Sequence, residues 1–324
     1  MTPEPHIALD AGGPALPRTI AEYLDQLRAS LAGADPALIQ DALYDAEDYL
    51  RSELAVESTK GPGAKTEAEV IAAVASSYGA PEEVADIYRD TEVRVQTALR
   101  PPRATPRRSL LGRFFGVVAE PRTYAALFYM VLALATGIFY FTWVVTGLSM
   151  SVGLSITIIG IPLLILYFGS VRVLSLVESR LVEVMLGERM PRRPQYTDRD
   201  QPLLKRIGQM FTDPRTWTTQ LYFLLMLPLG TIYFTVSIAL LSIGLSFLLA
   251  PFAVLFGDVR LNTDVGGFMA FGMQDGELVT TMDWWALPLL FVIGALVLFA
   301  TLHLARGVGY LHGQFAKHLL VKSA

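Results

Sequence analysis

The chain has 324 residues and a formal net charge of −4; 52% of its residues are hydrophobic and its mean hydropathy is +0.43. It contains no cysteine, which excludes disulfides, thiolate nucleophiles and cysteine metal sites. Charge is divided unevenly: residues 1–100 hold 18 acidic and 8 basic side chains, or −10, whereas the remainder holds 12 and 18, or +6. An acidic head of this kind argues against direct nucleic-acid binding.

Residues 1–17 carry Pro3, Pro5, Gly12, Gly13, Pro14 and Pro17 and are expected to form a disordered leader. No signal-peptide pattern is present there, so the first apolar span is expected to act as the insertion signal. Helical periodicity begins at Ile20, with Tyr23, Leu24, Leu27 and Leu31 on one stripe. Gly33 closes this helix. Asp35-Pro36 supplies an N-cap and a first-turn proline for a second helix, running to about Val56 with Ile39, Leu43, Ala46, Leu50 and Leu54 inward. After a turn at 60–63, Thr66 to Tyr78 read as a third helix, stopped by Gly79. Pro81 opens a fourth, with Glu82 and Glu83 in the first turn where the macrodipole favours carboxylates. Helices this short are stable only against one another, so residues 18–98 are expected to form a small helical bundle.

The pattern Ile20-x-x-Tyr23-Leu24-x-x-Leu27, the acidic second helix and Tyr78-Gly79-x-Pro81-Glu82-Glu83-Val84-Ala85 together resemble the HAAS-type helical signalling domain of bacterial membrane proteins, often found beside PadR-type transcription regulators. The resemblance implies that residues 18–98 form a cytoplasmic signalling domain whose partner is a cytosolic regulatory protein, PadR-type by family. Tyr78, Pro81, Glu82 and Glu83 are then the expected partner surface.

Residues 99–109 form a basic, proline-rich linker that suits an anionic leaflet or a positive-inside flank. An amphipathic approach to the membrane follows to residue 119. Then comes a stretch that the chain uses twice. EPRTYAALFYMVLALATGIFYFT at 120–142 aligns without a gap on DPRTWTTQLYFLLMLPLGTIYFT at 213–235. The copies share Pro121/Pro214, Arg122/Arg215, Thr123/Thr216, Tyr129/Tyr222, Gly137/Gly230 and the closing Tyr-Phe-Thr triplets, so the chain holds an internal duplication. Membrane repeat 1 is expected at 110–190, a linker at 191–202, and membrane repeat 2 at 203–322. Asp213-Pro-Arg-Thr-Trp217, Leu227-Pro-Leu-Gly230 and their first-copy counterparts resemble the sensor-type transmembrane domain of bacterial, especially actinobacterial, signalling proteins. There the domain often precedes a histidine kinase; these 324 residues contain no kinase or nucleotide-binding pattern.

Residues 125–177 are apolar apart from Arg172, which is right for two spans of about 20 residues. Residues 174–187 read as an amphipathic cytoplasmic continuation. A third span is expected at about 219–240 and a fourth at about 285–305, with Pro162 and Pro288 marking equivalent points of the second and fourth. Four spans place every arginine-rich flank on one side, cytoplasmic by the positive-inside rule, and the acidic insertion 257–284 on the other. Residues 241–256 are then an outer-leaflet or re-entrant segment. The fold class is an all-α membrane protein: a small N-terminal helical bundle and four transmembrane helices in two tandem repeats with interfacial amphipathic helices. The resemblances and the arginine-rich flanks together imply a bacterial inner-membrane location, expected to be multi-pass with both termini cytoplasmic.

No phosphate-binding loop, H-E-x-x-H or G-x-S-x-G is present, and no catalytic, cofactor or metal site is expected. No acid or lysine is expected in mid-span, and His303, His312 and His318 read as interfacial. The corners Pro121-Arg122-Thr123 and Pro214-Arg215-Thr216-Trp217 are candidate membrane-interface or partner contacts, alternatively plain depth anchors. Asp264, Asp275, Glu277, Asp283, Trp284 and Trp285 are the candidate external sensing residues, alternatively a loop capping the bundle. The functional expectation is a non-enzymatic sensor or regulator coupling an envelope or lipid signal to a cytosolic partner through the head. Alternatives are an accessory or scaffold subunit of a transporter-type complex and a lipid-handling or channel-like protein. Partners expected are the lipid bilayer, the cytosolic regulator or membrane-complex subunits, and a second copy in a homo-oligomer.

Overall fold

The computed structural model describes residues 17–61, 63–99, 110–157, 159–193, 208, 211–256, 270–274, 277–281 and 285–321. The leader up to residue 16, the linker 100–109, most of the linker 191–202, and Asp264, Asp275, Asp283 and Trp284 lie outside these residues. The chain divides into two compact units: residues 1–96 with 191–198, and residues 97–190 with 199–324.

The first unit is helical. It holds α1 (Ile20–Ser30), α2 (Pro36–Ser58), α3 (Glu67–Ser77) and α4 (Pro81–Leu99). Each start carries its own chemistry. The Thr19 side chain caps α1, Asp35 caps α2 with Pro36 in the first turn, and Thr66 and Glu69 form a reciprocal capping box on α3. Glu67 also accepts from the Ile20 N–H at 2.9 Å, so the start of α3 closes the start of α1. Tyr23, Leu24, Leu27, Leu43, Leu50, Ile71 and Val84 meet in the core. The Tyr23 hydroxyl donates to the Gly79 carbonyl at 2.8 Å, and burial pushes that phenol well above its ordinary value. Gly79 itself sits at φ +123°, which only glycine adopts cheaply.

Residues 191–193 belong to this unit through α2. Asp41, 5% exposed, accepts from the backbone N–H of Arg192 at 2.7 Å and of Arg193 at 2.8 Å. Gln40 donates to the Arg193 carbonyl at 2.6 Å, and the Arg193 guanidinium pairs with Asp45 at 2.7 Å.

The second unit opens with α5 (Leu110–Phe115) and a 3₁₀ turn (Gly116–Ala119). Four long apolar helices follow: α6 (Pro121–Gly153), α7 (Gly160–Leu186), α8 (Pro214–Phe256) and α9 (Ala286–Leu320). Each is long and apolar enough to cross a membrane. α6 and α8 form the central pair, with α7 against α6 and α9 against both. The matched glycines make that pairing. A Cβ on Gly137 would overlap the Met226 carbonyl oxygen, and one on Gly230 would overlap that of Ala133. Only glycine lets two helices touch backbone to backbone at this point.

Two sequence expectations are corrected. Residues 241–256 are not re-entrant; they continue α8, a helix of 43 residues running through Pro228 and Pro251. At about 1.5 Å per residue it is about 65 Å long, roughly twice the hydrocarbon thickness. α7 runs unbroken to Leu186, so residues 174–186 continue the second span as expected, and α9 likewise runs unbroken to Leu320. Finally, the second and fourth spans do not match through Pro162 and Pro288. A shift of 93 residues relates α6 to α8, but 134 relates α7 to α9, which sets Arg172 on Arg306, Phe168 on Leu302, Val171 on Ala305 and Val182 on Ala316. The last three pairs are buried in both helices.

The insertion between α8 and α9 carries an antiparallel pair, β1 (Ala270–Gln274) and β2 (Glu277–Thr281), with Gln274 opposite Glu277. These are the only strands among the described residues. The sequence between them is Asp275-Gly276, a pair favoured in two-residue hairpins and not used in the expectation above.

Candidate functional site

The second unit buries a glutamate and a histidine at equivalent points of its two copies. Under the shift of 134, Glu178 of α7 corresponds to His312 of α9; they are 0% and 1% exposed. Four tyrosines surround them, also two matched pairs: Tyr129 with Tyr222, and Tyr140 with Tyr233.

The first pair is shared. The Tyr129 hydroxyl donates to Glu178 Oε1 at 2.6 Å and lies 2.7 Å from His312 Nε2. The Tyr222 hydroxyl donates to the same oxygen at 2.8 Å and lies 3.0 Å from the same nitrogen. The second pair is private. Tyr140 donates to Glu178 Oε2 at 3.0 Å, and the Tyr233 hydroxyl lies 3.4 Å from His312 Nδ1. Three hydroxyl hydrogens are spent on one carboxylate, an acceptor set that an ionised carboxylate fills without needing to donate. With the hydrogens of Tyr129 and Tyr222 committed to Glu178, their oxygens are left to accept from His312 Nε2–H. The network therefore ties all four long helices through one polar knot, inside apolar packing by Phe223, Phe168 and Val182. Buried polar groups are cheap to keep only when every member is satisfied.

Glu178 falls in the amphipathic continuation of the second span and His312 among the residues expected at the interface, yet both side chains are buried inside the unit. A second buried acid, Glu183, is 2% exposed and pairs with Arg180 at 2.7 Å and with Arg189 at 3.4 Å. The arginine also donates to the Met190 carbonyl.

The two proline corners are built alike. Pro121 and Pro214 occupy the first turn of α6 and α8. Tyr124 donates to the Val118 carbonyl and Trp217, at the equivalent place, to the Phe211 carbonyl, both at 2.9 Å. Thr123 and Thr216 are buried. The Arg122 guanidinium lies against Gly187, the left-handed residue that ends α7. Arg215 is partly buried, near Asp213 and Arg172. Glu120 of the first corner pairs with Arg306 of α9 at 2.9 Å, so the copies interlock.

In the head, Tyr78 stacks on Tyr49 with ring centroids 4.5 Å apart, and Pro81 is buried. Glu82 and Glu83 are exposed. Of the external candidates, Glu277 stands in β2 and Trp285 is half exposed at the start of α9. Among the described residues no group of three or more His, Asp or Glu is arranged to hold a metal.

A family model described as "Putative sensor" matches residues 129–320. The chain belongs to this sensor family. The matched stretch begins at Tyr129 and runs past His312, so it contains all six members of the cluster. No curated protein and no solved structure matches the chain. The sensor domain is thus a membrane unit of two interlocked copies with a polar knot at their junction.

Proposed function

We propose that this protein is a non-enzymatic membrane sensor, which registers an envelope or lipid state in its four-helix sensor domain and passes it to a cytosolic partner through its N-terminal helices. The observation that carries the reading is the buried Tyr129–Tyr222–Glu178–His312 knot within a sensor-family domain. Ionisable groups inside a membrane domain are costly and usually functional. This one joins all four helices, so a displacement of any one helix must stretch or exchange hydrogen bonds at the centre. Such a network is suited to two discrete arrangements rather than continuous deformation.

The output is proposed to leave through α7. The chain runs from its end at Leu186 into Arg192 and Arg193, whose backbone Asp41 and Gln40 hold on α2. We place both termini on the cytoplasmic side of a bacterial inner membrane, from the arginine-rich flanks. The HAAS resemblance supports a PadR-type or similar regulator as the partner of residues 18–98.

The test is purification from native membranes in mild detergent, comparing the full chain with Glu178→Gln, Asp41→Asn and a form lacking residues 1–98. A cytosolic protein lost with the head and altered by Glu178→Gln supports the sensor reading. Membrane subunits retained at constant ratio in all forms would instead make the chain an accessory subunit.

A further inference from the structure

The first unit already holds a short peptide segment on its second helix. Gln40, Asp41, Tyr44 and Asp45 share one face of α2, since residues four apart lie one turn above each other. Residues 191–193 rest on that face. Asp41 Oδ1 accepts two consecutive backbone N–H groups, of Arg192 and Arg193. Two neighbouring amides converge on one oxygen where the chain bends, and residues 192 and 193 form a bend. Gln40 Nε2 donates to the Arg193 carbonyl. These three bonds read backbone alone, and they exclude proline at both positions because each must supply an N–H. One side chain is read as well. The Arg193 guanidinium pairs with Asp45 Oδ1 at 2.7 Å and stands 6.0 Å from the Tyr44 ring centre. Tyr88 of α4 steadies Asp45 by donating to its other oxygen at 3.2 Å.

The contact is built to exchange. Its ion pair is half exposed, with 52% of the Arg193 side chain in solvent, and a pair of that kind holds weakly. Covalent attachment supplies the rest, because a tethered ligand meets its site at an effective concentration on the order of millimolar. Withdrawing the segment uncovers the Asp41 and Gln40 atoms that it bonds. The charge around them is one-sided: α2 carries Asp41, Asp45, Glu47, Asp48, Glu53 and Glu57 against Arg51. Such a surface favours a basic replacement.

We propose that this face of α2 is a recognition surface for an arginine-pair segment of a cytosolic protein, and that residues 191–193 occupy it as an internal competitor. The partner presents a bend whose two amides close on Asp41, with arginine at the second position against Asp45 and Tyr44. As the output of the sensor, the surface rests on the sensor reading above; as a peptide site, it rests on the contacts of α2 alone.

The test uses the full chain in detergent micelles and a fluorescein-labelled peptide, Met-Pro-Arg-Arg-Pro-Gln, the sequence of residues 190–195. Binding is read by fluorescence anisotropy. Arg193→Pro takes one amide and the guanidinium from the internal segment. The expected result is saturable binding to Arg193→Pro and about ten-fold weaker binding to the parent, whose own segment competes. Added to Arg193→Pro, Asp41→Asn weakens the peptide about ten-fold, because two bonds lose their charge assistance. Asp45→Asn weakens it about three-fold, the loss of an exposed pair. A peptide N-methylated at both arginine amides does not bind; it keeps both charges and leaves the protein untouched, so a folding defect cannot imitate that result. Equal binding to the parent and to Arg193→Pro overturns the proposal. So does an N-methylated peptide that binds as tightly as the plain one, since attraction to an acidic surface explains both. Absence of binding to Arg193→Pro overturns it as well. A cytosolic protein captured through the head that excess peptide fails to displace overturns the chemistry assigned to the partner. The sensor reading fails separately: peptide binding as expected, at an affinity in the parent that Glu178→Gln leaves unchanged, keeps the surface and removes the knot as its control.

Discussion

The two copies of the membrane unit are most alike where they touch each other and least alike where they do not. At the junction, Gly137 faces Met226 and Gly230 faces Ala133, and Tyr129 and Tyr222 address the same glutamate and histidine. A change at such a place disturbs both copies at once, so the pair of helices must stay matched. Away from the junction each copy packs only within itself. There the second copy sets Gly244 of α8 against Leu298 of α9, while the first sets Gly147 of α6 against Tyr167 of α7. Even within the junction the symmetry is broken at one point, glutamate against histidine. The difference teaches that this duplication preserves contact geometry and lets polarity diverge.

The sharpest test of that comparison is exchange. Glu178→Ala leaves three tyrosine hydroxyls without their acceptor and is expected to cost about 3–5 kcal/mol of stability, read by denaturant unfolding in micelles. The double exchange Glu178→His with His312→Glu is expected to recover most of what either single exchange loses, because the shared tyrosines serve both positions. A double variant as unstable as the two single losses added together breaks the claim of equivalence.

Next in size are the crossing glycines. Gly137→Ala and Gly230→Ala each force the central helices apart and are expected to cost about 1–3 kcal/mol. Gly169→Ala, which meets nothing within 4 Å, is expected to be neutral or slightly stabilising. Equal tolerance at all three positions would remove the close crossing from the account.

The private tyrosines should differ. Tyr140 reaches Glu178 at 3.0 Å and Tyr233 reaches His312 at 3.4 Å. Tyr140→Phe is expected to cost about 1 kcal/mol and Tyr233→Phe less than about 0.6, the mean for hydrogen bonds between membrane helices. The reverse order would mean that the histidine side carries the knot. The smallest effect is expected at the corner staples: Tyr124→Phe and Trp217→Phe each lose one rim hydrogen bond, about 0.5 kcal/mol, and by the same amount in both copies. A large difference between them would show that the two corners do different work.

Much of this was legible in the sequence. The helical head was readable from Ile20, Tyr23, Leu24 and Leu27 with their caps, because apolar periodicity and capping are local properties. The duplication and the tyrosine pairs were readable because α6 and α8 keep one register without a gap. Glu178 and His312 were not found. Their match was hidden by an insertion of 41 residues, the difference between the two shifts, and Pro162 and Pro288 offered a false anchor. Arg172 and Arg306 were the signal that could have corrected it. Residues 241–256 were misread for a related reason: hydropathy reports what is apolar, and cannot tell a re-entrant turn from a helix that simply continues.

The sequence by itself determined that there are two copies, where the helices of the head start, and which of their faces are apolar, since those follow from residue identity and short-range spacing. Only the tertiary structure decided that one copy's glutamate meets the other copy's Tyr222 and that the same junction closes over matched glycines. Those depend on how far apart two helices stand, a distance fixed by the side chains of both partners together and written in neither one alone.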